Sequence, residues 1–115
     1  METRVVNVRV KHIRPQYANL KQWMEYPDNV YIGRGGIVFI NGVRFPEKGS
    51  IWGNPFKGDQ AVEKFEKYIR DKLISGEITV EQLLELKGKN LGCWCKPDRC
   101  HGDVLLKLLE EIDKA

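Results

Sequence analysis

Nothing in the chain is built to span a bilayer. No stretch approaches the roughly 20 consecutive apolar residues that a spanning helix needs. The first residues, Met1-Glu2-Thr3-Arg4, run straight into Val5-Val6-Asn7-Val8, with neither an apolar targeting core nor a small-residue cleavage site. No membrane partner is expected, and the cytoplasm is the expected compartment. Cysteine is scarce: 115 residues hold three, Cys93, Cys95 and Cys100, all within eight positions. An odd, clustered set excludes the scattered, even-numbered disulfide framework of small secreted domains. Clustered thiols in an otherwise cysteine-free chain point to a reducing compartment and a chemical site. Internal repeats, low-complexity segments and linkers are also missing. A chain this short can bury one core but not two, so residues 1–115 read as a single domain. Neither charge dominates: 19 Lys and Arg against 16 Asp and Glu leave a net +3. That balance is compatible with a phosphate-bearing partner without demonstrating one, and most lysines alternate with acids on expected helices, as on a solvated face.

What is present is an alternation of strand and helix signals. Val5, Val6, Val8 and Val10 supply β-branched residues for a strand over residues 3–10. Residues 12–27 read as a short helix followed by a loop. Asn29-Val30-Tyr31-Ile32-Gly33-Arg34 reads as a second strand ending in a Gly-rich turn. Residues 37–40 and 43–45 flank Asn41-Gly42, the pair that most strongly signals a hairpin because both positions tolerate positive φ. Residues 46–58, rich in proline and glycine, form a shaped loop. Asp59 is the expected N-cap of a helix carrying Val62, Phe65, Tyr68, Ile69 and Leu73 and ending near Ser75-Gly76. Thr79 and Gln82 form a capping box for a shorter helix over residues 79–86. A buried strand over residues 90–95, a turn over 96–99 and a last helix over 101–114 complete the order. The fold class is α/β: a single small domain with a mixed or mostly parallel sheet flanked by helices, and an inserted β-hairpin. Such sheets bind ligands beyond the carboxyl ends of their strands, which draws attention to Gly33-Arg34 and to residues 95–103.

Leu91-Gly92-Cys93-Trp94-Cys95-Lys96-Pro97-Asp98-Arg99-Cys100-His101-Gly102-Asp103 carries the strongest chemical pattern. On a continuous strand Cys93 and Cys95 project to one face and Trp94 to the other. Cys100 and His101 fall at the start of the last helix, where N–H groups and the helix dipole favour a thiolate or an anion. Three readings stand side by side. Cys100 is a reactive or substrate-contacting thiol with His101 as acid or base, and Cys95, Gly102 and Asp103 contact the ligand. Alternatively, Cys93, Cys95, Cys100 and His101 hold zinc, although one intervening residue and an adjacent pair are unusual spacings for a zinc site. In the plainest reading Cys93 is a small core hydrophobe, His101 caps a helix and Asp103 is an ordinary first-turn acid.

The second pattern is Trp52-Gly53-Asn54-Pro55-Phe56. Pro55 fixes its own φ and restricts Asn54, while Gly53 lets the backbone approach a neighbour or ligand. An amide held this way can orient a polar ligand group, which makes Asn54 a candidate catalytic and binding residue, or it can tie its own loop. Trp52 and Phe56 read first as core anchors, with base stacking as the alternative. Arg34 is placed to meet an anion or to form a surface ion pair.

Together, Val30-Tyr31-Ile32-Gly33-Arg34, Trp52-Gly53-Asn54-Pro55-Phe56, Leu91-Gly92-Cys93-Trp94-Cys95 and Cys100-His101-Gly102-Asp103-Val104-Leu105 resemble the family known as domain of unknown function 4326, met in bacteria, archaea and their viruses. The resemblance spans nearly the whole chain in order. It departs at residues 35–50, an insert that sets the hairpin apart from a shared site. The Cys-His-Gly ending is also similar to the Cys-His-Arg ending of another small α/β family, a likeness of local pattern alone. Neither resemblance implies a substrate.

The leading expectation is a small enzyme or ligand-binding domain acting on a nucleotide, base or other phosphate-bearing metabolite. Arg34 and the helix start near Cys100 would hold the anion, Asn54 would orient the polar group, and Cys100 or His101 would carry any chemistry. No cofactor is expected on this reading. The alternative is a nucleic-acid- or protein-binding module using Arg4, Lys11, His12 and Arg14, the aromatics Tyr17, Trp23 and Tyr26, which read as exposed, and the hairpin, with zinc as a stabiliser.

Overall fold

The computed structural model describes residues 2–95 and 98–114. Three parallel strands form its sheet, in the order β1 (Arg4–Asn7), β5 (Asn90–Cys93), β2 (Asn29–Tyr31). Val5 and Val30 flank Leu91, and Val6 and Tyr31 flank Gly92. Period-2 alternation sorts the strand residues onto two faces. On one face, Leu91 and Cys93 with Ile32 join a core built from α3 (Ala61–Ser75), α4 (Val80–Leu84) and α5 (His101–Lys114), including Phe65, Ile69, Leu83 and Leu105. On the other, Val8 and Tyr31 join Ile13 of α1 (Val10–Ile13) with Leu20 and Trp23 of α2 (Leu20–Met24). The hairpin β3 (Val38–Ile40)–β4 (Val43–Phe45) is a separate antiparallel pair that turns at Asn41 (φ 53) and Gly42 (φ 78) and packs Val38 and Phe45 on this second cluster. The architecture is thus α/β, with a parallel sheet covered on both faces.

The central strand lacks a side chain where the second layer comes closest. A Cβ on Gly92 would lie 2.5 Å from the Trp23 ring and 2.6 Å from a Val8 methyl, so only glycine lets α2 seat against β5. α5 runs over the expected residues, and Thr79 makes the expected capping box with Gln82.

Several boundaries differ from the sequence reading. β1 stops at Asn7 rather than at residue 10, because the Asn7 side chain accepts the Arg9 N–H (2.8 Å) and turns the chain into α1. Residues 12–27 contain a second helix, α2, whose Asn19 cap accepts the Gln22 N–H at 3.0 Å. Asp59 does not cap α3: Gln60 precedes the helix and makes no side-chain cap bond. β5 ends at Cys93, so Cys95 lies beyond the strand, and the expected common face for the two thiols gives way to a buried Cys93 and an exposed Cys95. The expected turn over 96–99 includes Lys96 and Pro97, which lie outside the described residues.

Candidate functional site

All three strands point their carboxyl ends to one edge of the sheet, and the starts of α3 and α5 arrive at the same edge. Between them lies a cavity of about 590 Å³. Gly33 and Arg34 follow β2 into its wall. Cys93, Trp94 and Cys95 come from β5 and the chain after it, Asn54, Phe56, Lys57, Gly58 and Asp59 from the shaped loop, and Ala61 and Val62 from α3. Ile37, just before the hairpin, Arg99 and His101 complete it. The hairpin strands β3 and β4 stay outside the lining.

The Gly-Arg turn and the Gly-Asn-Pro loop form one unit. Arg34 donates from Nε to the Asn54 carbonyl (3.0 Å) and from Nη2 to the Phe56 carbonyl (2.9 Å). The Asn54 side chain accepts the Phe56 N–H (2.9 Å) and donates to the Ala61 carbonyl (3.0 Å), tying the loop to the first turn of α3. Gly53 passes so near the other turn that a Cβ would sit 3.1 Å from the Gly33 carbonyl oxygen. Arg34 and Asn54 therefore do line the cavity, with most of their polar groups engaged in shaping its wall. This is the loop-tying alternative for Asn54.

The start of α5 is equally self-contained. The Cys100 sulfur accepts the Gly102 N–H (3.4 Å), and Asp103 Oδ2 accepts the Cys100 N–H (3.2 Å). This is the reciprocal logic of a capping box with a thiol in place of a hydroxyl. The Cys100 thiol is buried, 1 % exposed, and the thiols of Cys93 and Cys95 are among the groups that act on it electrostatically. Its hydrogen bond to Cys93 and its burial push its pKa upward, so it stays protonated at neutral pH. Cys95, which lines the cavity, is also shifted upward, by partial burial and by Cys93. Gly102 packs against the sheet, where a Cβ would meet a Val5 methyl at 2.8 Å.

His101 is buried between layers, its ring edge-on to Phe65. Its Nε2 lies 2.7 Å from the Ile32 carbonyl oxygen, which can only accept, so Nε2 carries the proton. That tautomer leaves Nδ1 with a lone pair, 3.7 Å from the Cys100 sulfur. Burial lowers the ring's pKa, partly opposed by the carbonyls of Ile32 and Trp52 and reinforced by the nearby Arg34 charge, so the imidazole is neutral at pH 7. Among the described residues no group of three or more His, Cys, Asp or Glu side chains is placed to hold a metal ion. Trp52 is a core anchor, as its sequence context suggests, whereas Phe56 is half-buried against Tyr68 and lines the cavity.

The structure adds four polar or aromatic lining residues that sequence motifs did not single out as ligand contacts: Lys57, Asp59, Trp94 and Arg99. Arg99 also pairs with Glu63 on the exposed face of α3. Lys57 and Asp59 stand beside the Gly-Asn-Pro loop, and that adjacency was the one signal available for them.

Fold and cavity together define a small α/β domain with a ligand-sized recess at the carboxyl edge of a parallel sheet. The chain belongs to the family described as a domain of unknown function (DUF4326), whose model matches residues 16–111. It is similar to an uncharacterized 12.4 kDa protein in the nrdA-td intergenic region of Enterobacteria phage T4, 39% identical over 72 residues that cover 58% of this chain and 67% of that protein. It is also similar to uncharacterized protein R718 of Acanthamoeba polyphaga mimivirus, 36% identical over 100 residues that cover 75% of this chain and 70% of that protein. No solved structure matches the chain. No helix among the described residues is long and apolar enough to cross a membrane.

Proposed function

We propose that the cavity binds a small anionic, nucleotide-like ligand. One observation carries the reading: three basic residues, Arg34, Lys57 and Arg99, and a single acidic one, Asp59, line a largely apolar recess at the strand carboxyl edge. Recesses of about 300–1,000 Å³ hold ligands of mononucleotide size. The start of α3, where Gln60 makes no side-chain cap bond and the Gly58 carbonyl takes the Ala61 N–H (3.1 Å), borders the same wall through Ala61 and Val62. The first helical turn of α5 has its own cap, so on this reading the anion lies toward α3 rather than toward Cys100. Any proton transfer falls to His101, which lines the cavity, and not to the buried Cys100 thiol.

The test is calorimetric titration of the protein with nucleoside monophosphates and with ribose 5-phosphate at low salt. Saturable binding of at least one, weakening as salt rises, supports the reading. Absence of heat with every phosphate ester tried sinks it.

A second reading, nucleic-acid binding, draws on Arg9. It is one of four exposed basic residues, Arg9, Lys11, His12 and Arg14, on and beside α1 just after the carboxyl end of β1. Binding of a single-stranded oligonucleotide with a steep salt slope would favour that reading, and indifference to it at low salt would exclude it.

A further inference from the structure

Resting on the ligand reading above, we propose that Trp94 is the surface on which this site holds a planar heteroaromatic ring, so that its ligand is a nucleotide rather than a sugar phosphate or other non-aromatic anion. Trp94 directly follows β5, at the edge where the cavity opens. Its indole Nε1–H donates to the Tyr31 hydroxyl (2.8 Å), and that hydroxyl donates to the Arg34 carbonyl (2.6 Å). The two rings meet at 79°, with centroids 6.4 Å apart. This contact engages the N–H edge of the indole; the half-buried ring packs in part on the second core cluster and turns its remaining surface to the cavity wall.

The chain of bonds also fixes where the indole stands. Tyr31 is buried in the second core cluster and sits hard against the turn that follows it: a Cβ on Gly33 would collide with its hydroxyl and ring. An indole bonded at its edge to an immobile phenol has little rotamer freedom left to lose. The ordering cost of a stacking wall is then met on folding and not on ligand binding. Tyr31 is accordingly a positioning residue. Trp23 and Trp52 are buried within the two cores, which leaves Trp94 as the tryptophan in the cavity wall. Phe56 supplies a second aromatic wall, held edge-on by Tyr68 (5.8 Å, 85°). Stacking surfaces and the cations Lys57 and Arg99 in one recess match the two halves of a nucleotide: base and phosphate. Because every base presents a π face, stacking predicts a preference for nucleotides as a class with modest discrimination among them.

The experiment compares AMP, UMP and ribose 5-phosphate on the wild-type protein and on Trp94→Leu and Trp94→Phe, by calorimetry and by tryptophan fluorescence. The wild type should bind AMP at least about tenfold more tightly than ribose 5-phosphate, the factor that stacking of one base typically supplies. Trp94→Leu should erase that preference while leaving ribose 5-phosphate affinity within about twofold, and Trp94→Phe should keep part of it. AMP should quench wild-type fluorescence and ribose 5-phosphate should not, a readout that needs no variant to fold. Equal affinity for AMP and ribose 5-phosphate, equal quenching by both, or a preference that survives in Trp94→Leu overturns the inference and leaves the anionic-ligand reading standing. Failure of every ligand to bind overturns that reading and this inference with it.

Discussion

Two helix starts meet the carboxyl edge of the sheet, and they are built in opposite ways. α5 begins with Cys100-His101-Gly102-Asp103, where a thiol and a carboxylate close the first turn on itself. α3 begins after Gln60, whose backbone (φ −103°, ψ 15°) lacks the extended geometry seen at the well-capped Thr79 (φ −98°, ψ 159°) and whose side chain makes no cap bond, the Ala61 N–H going to the Gly58 carbonyl instead. The α3 start faces the cavity through Ala61 and Val62. The Cys100–Asp103 turn thus closes on itself and reaches the recess only through His101, whereas the α3 start borders the recess with no sequence motif of its own. Composition marks residues able to react, but whether they do depends on which of their atoms remain available.

The largest effect separating the two starts should be thiol reactivity. A native protein treated with an aromatic disulfide reagent at neutral pH should modify one thiol first, at Cys95, the exposed cysteine. Cys100 and Cys93 can react only through local opening. About 3 kcal/mol of opening free energy slows them by roughly a hundredfold relative to Cys95. All three should react at once in denaturant. Mapping the first label to Cys100 would show that the α5 start is open and would restore its thiol as the lead for chemistry.

Next in size are substitutions at the basic wall. Lys57→Ala and Arg99→Ala should each weaken phosphate-ester binding about tenfold, the effect of losing one charge-assisted hydrogen bond. Melting temperatures should hardly move, since Lys57 is exposed and the Arg99–Glu63 pair is a surface ion pair of the kind that contributes about 0–1 kcal/mol. Calorimetry reads the first quantity and thermal denaturation the second. A large stability loss with unchanged affinity would reverse the roles assigned to the two helix starts.

How much of this was legible in the sequence follows from the range of each interaction. The bounds of α5, the Asn41-Gly42 hairpin and the Thr79–Gln82 box depend on residues within a few positions of one another, and all three were readable. The end of β1 is not legible in the valine pattern, because a single side chain, Asn7, turns the backbone. The Arg34 clamp was invisible for a different reason: it joins carbonyls 20 and 22 residues away, and a carbonyl carries no residue-type signal. The same holds for His101, whose tautomer is set by the Ile32 carbonyl 69 residues away. Trp94 could be placed on the strand face opposite Cys93, but its bond to Tyr31 required the register of β2 against β5.

A smaller effect should come from removing the acid in the α5 cap. Asp103→Ala leaves the Cys100 N–H without this acceptor and should lower stability by about 1 kcal/mol, the usual magnitude for a lost helix cap. Ligand affinity should stay within twofold or so, because the cap does not line the cavity. Urea denaturation and ligand titration on the same variant separate the two outcomes. Weaker binding at unchanged stability would make Asp103 a ligand contact.

The subtlest difference between the starts is a pH slope. The folded His101 pKa lies below its ordinary value of 6.5, with burial the main cause. Between that lowered value and 6.5 the unfolded chain binds more protons than the folded one, so stability falls as pH drops into this window. Above it both states hold the neutral ring and His101 contributes no slope. The carboxylates of Glu66 and Glu111, held low by Lys107 and Arg70, act in a lower range: their contribution is present above about 4.5 and is lost as pH falls through their folded values. Melts between about pH 7.5 and 5.5 should therefore isolate His101. His101→Gln keeps an N–H to offer the Ile32 carbonyl and should flatten the curve, even where its overall stability is lower. A wild-type curve as flat as that of the variant would mean that the ring accepts a proton in place, which would give the α5 start a charge to present and narrow its difference from α3.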